Sequence, residues 1–388
     1  MRMSAKSASA SFAVLLALLL PAPCRAGWSA INFIVAAHAD DWQLFFNPDP
    51  WKSVRTPGIK SVFVYTTAGD AGLGIGPADN PYFAAREEGA RRAVRFMANL
   101  DSLPAQGAFG VVQINGHTIA TYTYKNTISY FLRLPDGNPR GTGYPSTGSV
   151  SLEKLRLGLI PTLSAVDGSA TYIGWNDLVD TLEMLVRSEL LGSGATTSGL
   201  FFQESVPKHN RGDHADHLSS GRAMDIVAAK MPCLSATRFV DYPSAQLAVN
   251  LSAEESVNKG AVFAVTVGGV TDMGHPTRWV RGYMAWLHRT YSRATPGNGS
   301  RCFNSSAPCG PSTCGGCCDV DGICQDGTAA TGCGFGGHAC ATCSSGERPV
   351  CVNQACSSCE AGHRLCCDDS CRPHCLGIKC PKWPALPQ

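Results

Sequence analysis

Histidine and aspartate stand close together in two distant stretches of the chain. The first stretch, IVAAHADDW, contains His38, Asp40 and Asp41, and the second, GDHADHL, contains His214 and His217. Imidazole nitrogens and carboxylate oxygens are common zinc ligands, and two imidazoles with one carboxylate leave a fourth tetrahedral position open for catalysis. The two stretches therefore predict the halves of one metal site.

Two strands and a helix must position these motifs. The run INFIVAA (31–37) leads directly into the first motif, and GLFFQESV (199–206) is a predicted strand that precedes the second motif. Ligands of open α/β sheets bind beyond the carboxyl ends of the strands, so both motifs are expected at one edge of the sheet. His214 and His217 lie at the start of a predicted helix, 214–231, and their spacing places both imidazoles on one face.

The rest of the region from residue 27 to residue 292 alternates between runs rich in β-branched or aromatic residues and helix-like segments. This alternation predicts an α/β fold, with a Rossmann-like, layered, mostly parallel sheet and helices on both faces. A capping box at Ser252 and Glu255 predicts the start of one further helix. The other predicted strands are 61–67, two or three within 110–134, and 237–242 as the last strand, and the other predicted helices are 82–100 and 178–191.

The start of the chain and its charge limit the function classes. Residues 1–26 carry Arg2 and Lys6, then an apolar run and a small-residue segment, in the order of a secretory signal peptide. The apolar run is much shorter than the roughly 20 residues of a membrane-spanning helix, and no transmembrane segment is predicted elsewhere. With 32 Lys and Arg against 30 Asp and Glu, the net charge of +2 offers no basic surface for nucleic acid. The mature protein is predicted to be secreted.

Cysteine is concentrated at the end of the chain. Of 19 cysteines, 17 fall between Cys302 and Cys380, and such density in an exported chain predicts a disulfide framework. We predict a linker at 293–301 and a disulfide-stapled region at 302–388 that contacts the cell surface or a glycan. Cys233 stands apart and is predicted to pair with a cysteine of this region.

Two CxxC pairs in the Cys-rich region, Cys340 with Cys343 and Cys356 with Cys359, also have the spacing of zinc ribbons. Because a signal peptide implies an oxidising compartment, disulfides are favoured there over zinc. The connectivity stays open, since many pairings of so many cysteines are possible.

The two motifs resemble those of a known family, the PIG-L or LmbE-like zinc-dependent N-acetylglucosaminyl deacetylases, and are closest to its secreted bacterial branch. That family typically has AHPDDE as its first motif and HxDH as its second, where this chain has AHADDW and HADH. The segments YTTAGDAG, AREEGARRA and FLRLPDGN are similar as well. The resemblance implies a deacetylase domain over residues 27–292.

Carried over residue by residue, the resemblance implies one zinc ion per chain with His38, Asp41 and His217 as ligands. It implies that Asp40 is the general base that takes a proton from the attacking water. The residue types suit these roles, because zinc can lower the pKa of water to about 7 and a carboxylate within hydrogen-bond reach then yields hydroxide at neutral pH.

The same resemblance assigns His214 to the tetrahedral intermediate, which a charged imidazole would stabilise or protonate, with Asp216 orienting the ring. Trp42 departs from the family pattern, where glutamate is frequent, and leaves open which groups support the ligands. Asp70 and Arg86 are implied to contact sugar hydroxyls. The alternative for these two residues is a loop cap and a helix-surface arginine.

These observations predict a secreted zinc-dependent deacetylase that hydrolyses the N-acyl amide, above all the N-acetyl amide, of an amino sugar or glycoconjugate. The sugar is implied by the family, whereas the residues themselves indicate only metal-activated hydrolysis. Two alternatives stay open: a non-catalytic secreted glycan-binding module with a vestigial metal site, and a zinc amidase or esterase that acts on a non-sugar substrate.

Overall fold

The computed structural model describes residues 27–299, apart from 77, 78, 192 and 278–280, together with short segments between 302 and 372. The predicted signal peptide lies outside the described residues. Within the described part of the chain, no helix is both long enough and apolar enough to cross a membrane.

A central eight-stranded sheet organises the domain. The strands of the domain are β1 (Ala30–Ala36), β2 (Ile59–Thr67), β3 (Ala108–Ile114), β4 (His117–Tyr124), β5 (Thr127–Leu134), β6 (Thr162–Ser164), β7 (Thr171–Ile173), β8 (Thr197–Gln203), β9 (Ser235–Val240) and β10 (Tyr291–Thr295). The sheet has the order β10-β9-β8-β1-β2-β5-β4-β3, and β6 and β7 form a separate hairpin. Strands β9, β8, β1, β2 and β5 run parallel, whereas β10, β4 and β3 are antiparallel to their neighbours. The predicted mostly parallel sheet is confirmed.

Helices cover both faces of the sheet, as predicted. They are α1 (Asp49–Arg55), α2 (Tyr82–Asn99), α3 (Leu152–Arg156), α4 (Gly174–Leu190), α5 (Ala215–Lys230), α6 (Ala253–Asp272) and α7 (Arg281–Leu287). Helices α3, α4 and α5 share one hydrophobic core with the sheet, and α1, α2, α6 and α7 share the other. The capping box at Ser252 and Glu255 begins α6.

Strand β1 shows why its sequence is apolar throughout. Ile31, Phe33 and Val35 belong to the core that contains α3, α4 and α5, while Ile34 and Ala36 belong to the core on the opposite face. A parallel strand covered by helices on both sides has no solvent face, so a continuous apolar run is expected.

At two places, neighbouring elements pack so closely that the position must be glycine. A Cβ on Gly89 of α2 would lie 2.5 Å from the Thr266 carbonyl oxygen of α6, and a Cβ on Gly221 of α5 would lie 2.3 Å from the Gln203 carbonyl oxygen of β8. No larger residue fits such contacts without a shift of the backbone. Helix α5 is thereby held directly against β8, with the second His/Asp motif at its start.

Some boundaries differ from the predictions. Helix α4 begins at Gly174 rather than at residue 178, and residues 293–295, which we assigned to the linker, belong to β10. Strand β10 pairs with β9 and follows it in the chain, so the predicted last strand at 237–242 is not the last one. Most of the side chains of β10 are exposed, and such an edge strand has no alternating apolar pattern to reveal it.

The described segments of the Cys-rich region are short two-stranded ladders held by disulfides. The strands are β11 (Cys317–Cys318), β12 (Cys324–Gln325), β13 (Thr328–Ala329), β14 (Gly332–Cys333), β15 (Val350–Val352), β16 (Ala355–Ser357), β17 (Arg364–Leu365) and β18 (Cys371–Arg372). The disulfides within these segments are Cys309–Cys318, Cys317–Cys340, Cys333–Cys351 and Cys343–Cys356. The predicted disulfide framework is confirmed for these pairs.

Disulfides contradict the zinc-ribbon alternative for the CxxC motif of Cys340 and Cys343. Cys340 and Cys343 belong to one CxxC motif but form disulfides with Cys317 and Cys356, respectively. Cys359, of the other motif, lies outside the described residues. Cys233 pairs with Cys302, as predicted, and so joins the Cys-rich region to the domain.

Candidate metal centre and active site

The two predicted motifs meet at the carboxyl ends of β1 and β8. Strand β1 ends at Ala36, so His38 and Asp41 lie in the turn that follows it. His214 caps the N-terminus of α5, and His217 lies in the first turn of this helix. Because β1 and β8 are parallel neighbours, the residues that follow them share one edge of the sheet.

Three donor atoms, one each from His38, Asp41 and His217, form a compact triangle. His38 Nδ1 lies 3.1 Å from His217 Nε2 and 3.4 Å from Asp41 Oδ1, and Asp41 Oδ1 lies 3.2 Å from His217 Nε2. In a tetrahedral zinc site with bonds of about 2.0–2.1 Å, neighbouring donor atoms are about 3.3 Å apart. The triangle has this size and its residues are buried, so they fit one tetrahedral ion with a further position left for solvent or substrate.

A carboxylate behind His217 sets its tautomer. His217 Nδ1 is hydrogen-bonded to Asp213 Oδ1 at 3.0 Å, so this nitrogen carries a proton, and Asp241 Oδ2 lies 3.1 Å from the same nitrogen. In the neutral imidazole Nε2 then has a free lone pair directed at the triangle, as a metal ligand requires. Both carboxylates are buried, and Asp213 also accepts a hydrogen bond from Asn210 Nδ2 at 2.5 Å.

His38 and Asp41 are oriented by comparable contacts. His38 Nε2 lies 3.3 Å from Asp216 Oδ2, which leaves Nδ1 for the triangle. Asp41 Oδ2 accepts hydrogen bonds from the His38 backbone N–H at 2.6 Å and from Gln203 Nε2 at 2.7 Å, which leaves Oδ1 for the triangle. Gln203 was missed in the sequence, because a glutamine at the end of a strand carries no distinctive pattern.

The pKa values show how strongly these carboxylates act on the imidazoles. Burial alone would lower the pKa of His38, but the Asp41 and Asp216 carboxylates outweigh it and raise the pKa to about 10. Burial would raise the pKa of Asp41, yet positive charge on His217 and His38 holds it well below its usual range. A buried cluster that favours positive charge this strongly suits a divalent cation, whose binding replaces protons.

His214 differs from the other two histidines. Its Nδ1 accepts a hydrogen bond from the Asp216 backbone N–H at 3.2 Å, so the proton of the neutral ring is on Nε2, 3.7 Å from Asp136 Oδ1. Burial, together with positive charge on His38 and His217, lowers the pKa of His214. The neutral ring presents Nε2–H to the cavity, and the charged imidazole of the expectation stays a prediction.

Asp216 also acts on a different partner than expected. Its Oδ2 contacts His38 and accepts a hydrogen bond from the Gly137 backbone N–H at 2.9 Å, whereas His214 Nδ1 lies 3.7 Å away. The backbone of Asp216, not its carboxylate, orients His214. The reason is local: His214 is the N-cap of α5, and its ring accepts from the first turn of the helix.

Asp40 lies in the same cavity as the triangle and is held by Arg86 of α2. Arg86 Nη2 donates to Asp40 Oδ1 in an ion pair, and the Asp40 side chain is 25% exposed, so water can reach it. The guanidinium passes over Gly69, where a Cβ would lie 3.0 Å from Nε. Arg86, expected to contact sugar hydroxyls, thus positions Asp40.

The contacts of Asp70 favour the loop-cap alternative, and its contact with a sugar hydroxyl stays a prediction. Its side chain is fully buried. Oδ1 accepts from the Asp136 backbone N–H at 2.8 Å, and Oδ2 accepts from the Gly74 backbone N–H at 2.7 Å. Asp70 therefore shapes the loops that follow β2 and β5.

Trp42, which stands where glutamate is frequent in the family, points into the core. Its ring packs against Phe63 with centroids 5.0 Å apart, and Nε1 donates to Tyr65 Oη at 2.9 Å. It begins a π-helical turn, Trp42–Phe46. The groups that orient the triangle therefore come from elsewhere in the chain.

The triangle opens into a cavity of about 110 Å³ with an aromatic side. Tyr242 and Trp286 stack with ring centroids 5.3 Å apart, and the Tyr242 ring lies 5.1 Å from that of His217. Sequence reasoning missed these residues. The strand-end rule could have found Asp241 and Tyr242, because both follow β9 at the same edge of the sheet as the motifs.

The sequence matches no protein-family model and no curated protein. Solved structures that resemble the chain include a deacetylase in complex with teicoplanin, with 12% identity, a TM-score of 0.35, and coverage of 62% of this chain and 87% of that chain. The zinc-inhibited form of a teicoplanin deacetylase has 13% identity and a TM-score of 0.32, covering 61% of this chain and 83% of that chain. The A40926 pseudoaglycone deacetylase has 13% identity and a TM-score of 0.32, covering 63% of this chain and 82% of that chain. Values this low describe a distant likeness, and they leave the assignment of function to the geometry of the site.

Proposed function

We propose that this chain is a secreted zinc-dependent deacetylase that hydrolyses the N-acyl amide of an amino sugar or glycoconjugate. The observation that carries the proposal is the triangle of His38 Nδ1, Asp41 Oδ1 and His217 Nε2, with Asp40 and His214 in the same cavity. A structural zinc site is closed by four protein ligands, whereas this arrangement offers three next to groups that can move protons.

The residues around the triangle have separate tasks in this reaction. Zinc, when bound, would polarise the amide carbonyl and acidify the attacking water. Asp40 accepts a proton as the water oxygen attacks the carbonyl carbon, and Arg86 holds its carboxylate in place. His214 donates a hydrogen bond from Nε2–H to the carbonyl oxygen as negative charge develops there, and keeps its proton. The protonated Asp40 then supplies a proton to the departing amine.

The amino-sugar class is supported by the other side of the cavity. Tyr242 and Trp286 offer apolar ring surface, and Asp136 adds a hydrogen-bond acceptor beside His214. A pyranose ring has an apolar C–H face and a rim of hydroxyls, so it needs both kinds of surface in one site.

Secretion is part of the proposal and rests on two features. The N-terminal segment has the composition of a signal peptide, and the disulfides of the Cys-rich region are typical of oxidising compartments. We assign residues 27–292 to the deacetylase domain and residues 302–388 to an appendage that holds the protein to a cell surface or glycan.

The test is a substrate panel combined with metal analysis. The protein, purified without chelator, is assayed on N-acetylated amino sugars, N-acetylated peptides and acetyl esters. We expect about one zinc ion per chain, hydrolysis of the sugar amides, loss of activity with chelator and its return with zinc. Stoichiometric metal without any hydrolysis would favour the glycan-binding module, and cleavage restricted to peptides or esters would favour the non-sugar hydrolase. Protein that binds no zinc would contradict the proposal altogether.

A further inference from the structure

A second cavity lies beside the metal centre, between α2, α6 and α7. Its volume is about 170 Å³. It shares Asp40, Arg86 and Tyr283 with the cavity that contains the triangle, so the two spaces meet at the proposed general base. A substrate whose amide lies at the triangle can therefore extend past Asp40 into the second cavity.

The second cavity has an apolar side formed by α6, next to polar groups of Asp40, Arg86, Thr266 and Thr277. Phe263, Val267 and Val270 line it from one face of α6, because they are spaced by four and three residues. Tyr82 of α2 and Pro276, which follows α6, complete the apolar lining. Such a surface reachable from a catalytic centre is typical of a site that binds an apolar group.

The two threonine hydroxyls in these walls already have partners, and Thr277 Oγ1 lies 3.3 Å from Thr271 Oγ1. Thr266 Oγ1 accepts a hydrogen bond from Gln43 Nε2 at 3.2 Å and donates to the Val262 carbonyl oxygen at 3.1 Å. A sugar hydroxyl placed against this part of α6 would lose its water partners without replacement, which is costly. A hydrocarbon chain instead gains with every methylene that it buries.

We propose that the second cavity binds the acyl chain of the substrate and that acyl groups of about six carbons are preferred over acetyl. An apolar cavity of about 150 Å³ holds a benzene ring, so the 170 Å³ found here accommodates a group of similar size. An acetyl group buries less apolar surface against α6 than a longer acyl chain does. The inference rests on the proposed function and concerns only the acyl part of the substrate.

The experiment compares acyl chains on one amino sugar. N-acetyl, N-butyryl, N-hexanoyl and N-dodecanoyl derivatives of the same glucosamine glycoside are assayed with the zinc-loaded full chain. We expect kcat/KM for hexanoyl to exceed that for acetyl by at least about tenfold, because four more methylenes are buried. The dodecanoyl chain exceeds the cavity and is expected to fall below hexanoyl.

Variants of α6 provide the control for position. Val267→Trp fills the cavity and is expected to lower the hexanoyl-to-acetyl ratio by about tenfold. Ala264→Trp places the same bulk on an exposed position of the same helix and is expected to keep the wild-type ratio. Both substrates are assayed on the same preparation, so the concentration of folded protein cancels from the hexanoyl-to-acetyl ratio of kcat/KM. A variant that is partly misfolded can therefore still be compared with the wild type. Thr277→Trp narrows the cavity from the loop after α6 and serves as a second test.

The outcomes separate the inference from the proposed function. If acetyl is cleaved as fast as hexanoyl, or if Val267→Trp keeps the wild-type ratio, the acyl-chain inference is overturned while the deacetylase proposal stands. If no amide is cleaved, the proposed function fails. In that case, calorimetric titration with the hexanoyl and acetyl glycosides tests the acyl-chain inference without catalysis. Equal affinities for the two glycosides would overturn that inference.

Discussion

His38 Nδ1 lies 3.1 Å from His217 Nε2, although 179 positions separate the two residues in the chain. Each ring uses its other nitrogen against a carboxylate, Asp216 behind His38 and Asp213 behind His217. Two lone pairs that face each other at this distance repel unless a proton or a cation lies between them. A shared metal ion satisfies both, and Asp41 completes the set.

Replacing a proposed ligand should remove the metal. We expect His217→Ala to lower zinc affinity by more than the 10–100-fold or so that the loss of an outer-shell partner costs. His209→Ala changes an exposed histidine near the same helix and should leave zinc content unchanged. Mass spectrometry of bound metal and competition with a chromogenic chelator measure the two variants. Equal zinc affinity in both would remove His217 from the ligand set.

Replacing the proposed base should separate metal binding from catalysis. We expect Asp40→Asn to lower kcat by about 10²–10⁴-fold at unchanged zinc content, because the amide cannot accept the proton. Asp180→Asn is the matched control, since Asp180 is 52% exposed and pairs with Lys230 on the outer surface. A retained rate in Asp40→Asn would assign the base to another group.

The contact of α5 with β8 should be sensitive to a single methyl group. A Cβ at Gly221 would lie 2.3 Å from the Gln203 carbonyl oxygen, so Gly221→Ala should lower the free energy of unfolding by about 1–3 kcal/mol. Zinc affinity should fall with it, because α5 carries His217. Gly268 of α6 faces open space, and Gly268→Ala should stabilise the protein by about 0.5–1 kcal/mol. Urea unfolding measures the free energy of unfolding of both variants. If Gly221→Ala leaves it unchanged, α5 can move away from β8 without cost.

Lys259 should make stability depend on pH. It is buried, and its Nζ donates to the Arg289 carbonyl oxygen at 2.6 Å and to Thr290 Oγ1 at 2.9 Å. Burial lowers the pKa of Lys259 to about 7 from 10.5, against the opposing effect of Asp241. Between these two pH values the unfolded chain binds more protons than the folded protein, so the free energy of unfolding rises with pH in this window.

Lys259→Met removes this titration. Relative to the variant, the wild type should gain stability from about pH 7 to pH 10 and show no further change below about pH 6, where lysine is protonated in both states. Lys208→Met, at an exposed lysine, should follow the wild type at every pH. Denaturant unfolding across this range gives the three curves, and parallel curves for Lys259→Met and wild type would contradict the buried-lysine explanation.

The Cys233–Cys302 disulfide should stabilise the domain. It closes a separation of 69 residues that includes β9, α6, α7 and β10, so it restricts the unfolded chain. Replacing both cysteines by serine should cost about 2–4 kcal/mol. The same double replacement at Cys309 and Cys318, separated by 9 residues within the Cys-rich region, should leave the melting temperature of the domain unchanged. Calorimetry measures the melting temperature of the domain in both variants. If both replacements lower it equally, the Cys233–Cys302 disulfide has no special role in stabilising the domain.

Short-range patterns explain what could be predicted from the sequence. The strand before His38 and the helix after His214 have clear apolar runs and caps, so their positions and the meeting of the two motifs followed from strand direction alone. β10 was missed because it is held by backbone pairing to β9, which leaves no side-chain pattern.

The partners of each site residue depended on contacts that the sequence does not display. Asp213 and Gln203 orient the triangle, and Arg86 turns to Asp40 rather than to solvent. The family resemblance implies a substrate contact for Asp70, whereas its carboxylate accepts hydrogen bonds from two backbone N–H groups. Which of several nearby polar groups a side chain contacts depends on three-dimensional packing, not on spacing along the chain.

The place where the Cys-rich region joins the domain has a consequence for how the protein meets its surroundings. Strand β9 begins at Ser235, two residues after Cys233, and ends at Val240, just before Asp241, which lies beside His217. The Cys233–Cys302 bond is therefore at the opposite end of β9 from the triangle. The proposed appendage is therefore attached to the domain at the end opposite the pocket, and the attachment point itself does not block the entry of a substrate.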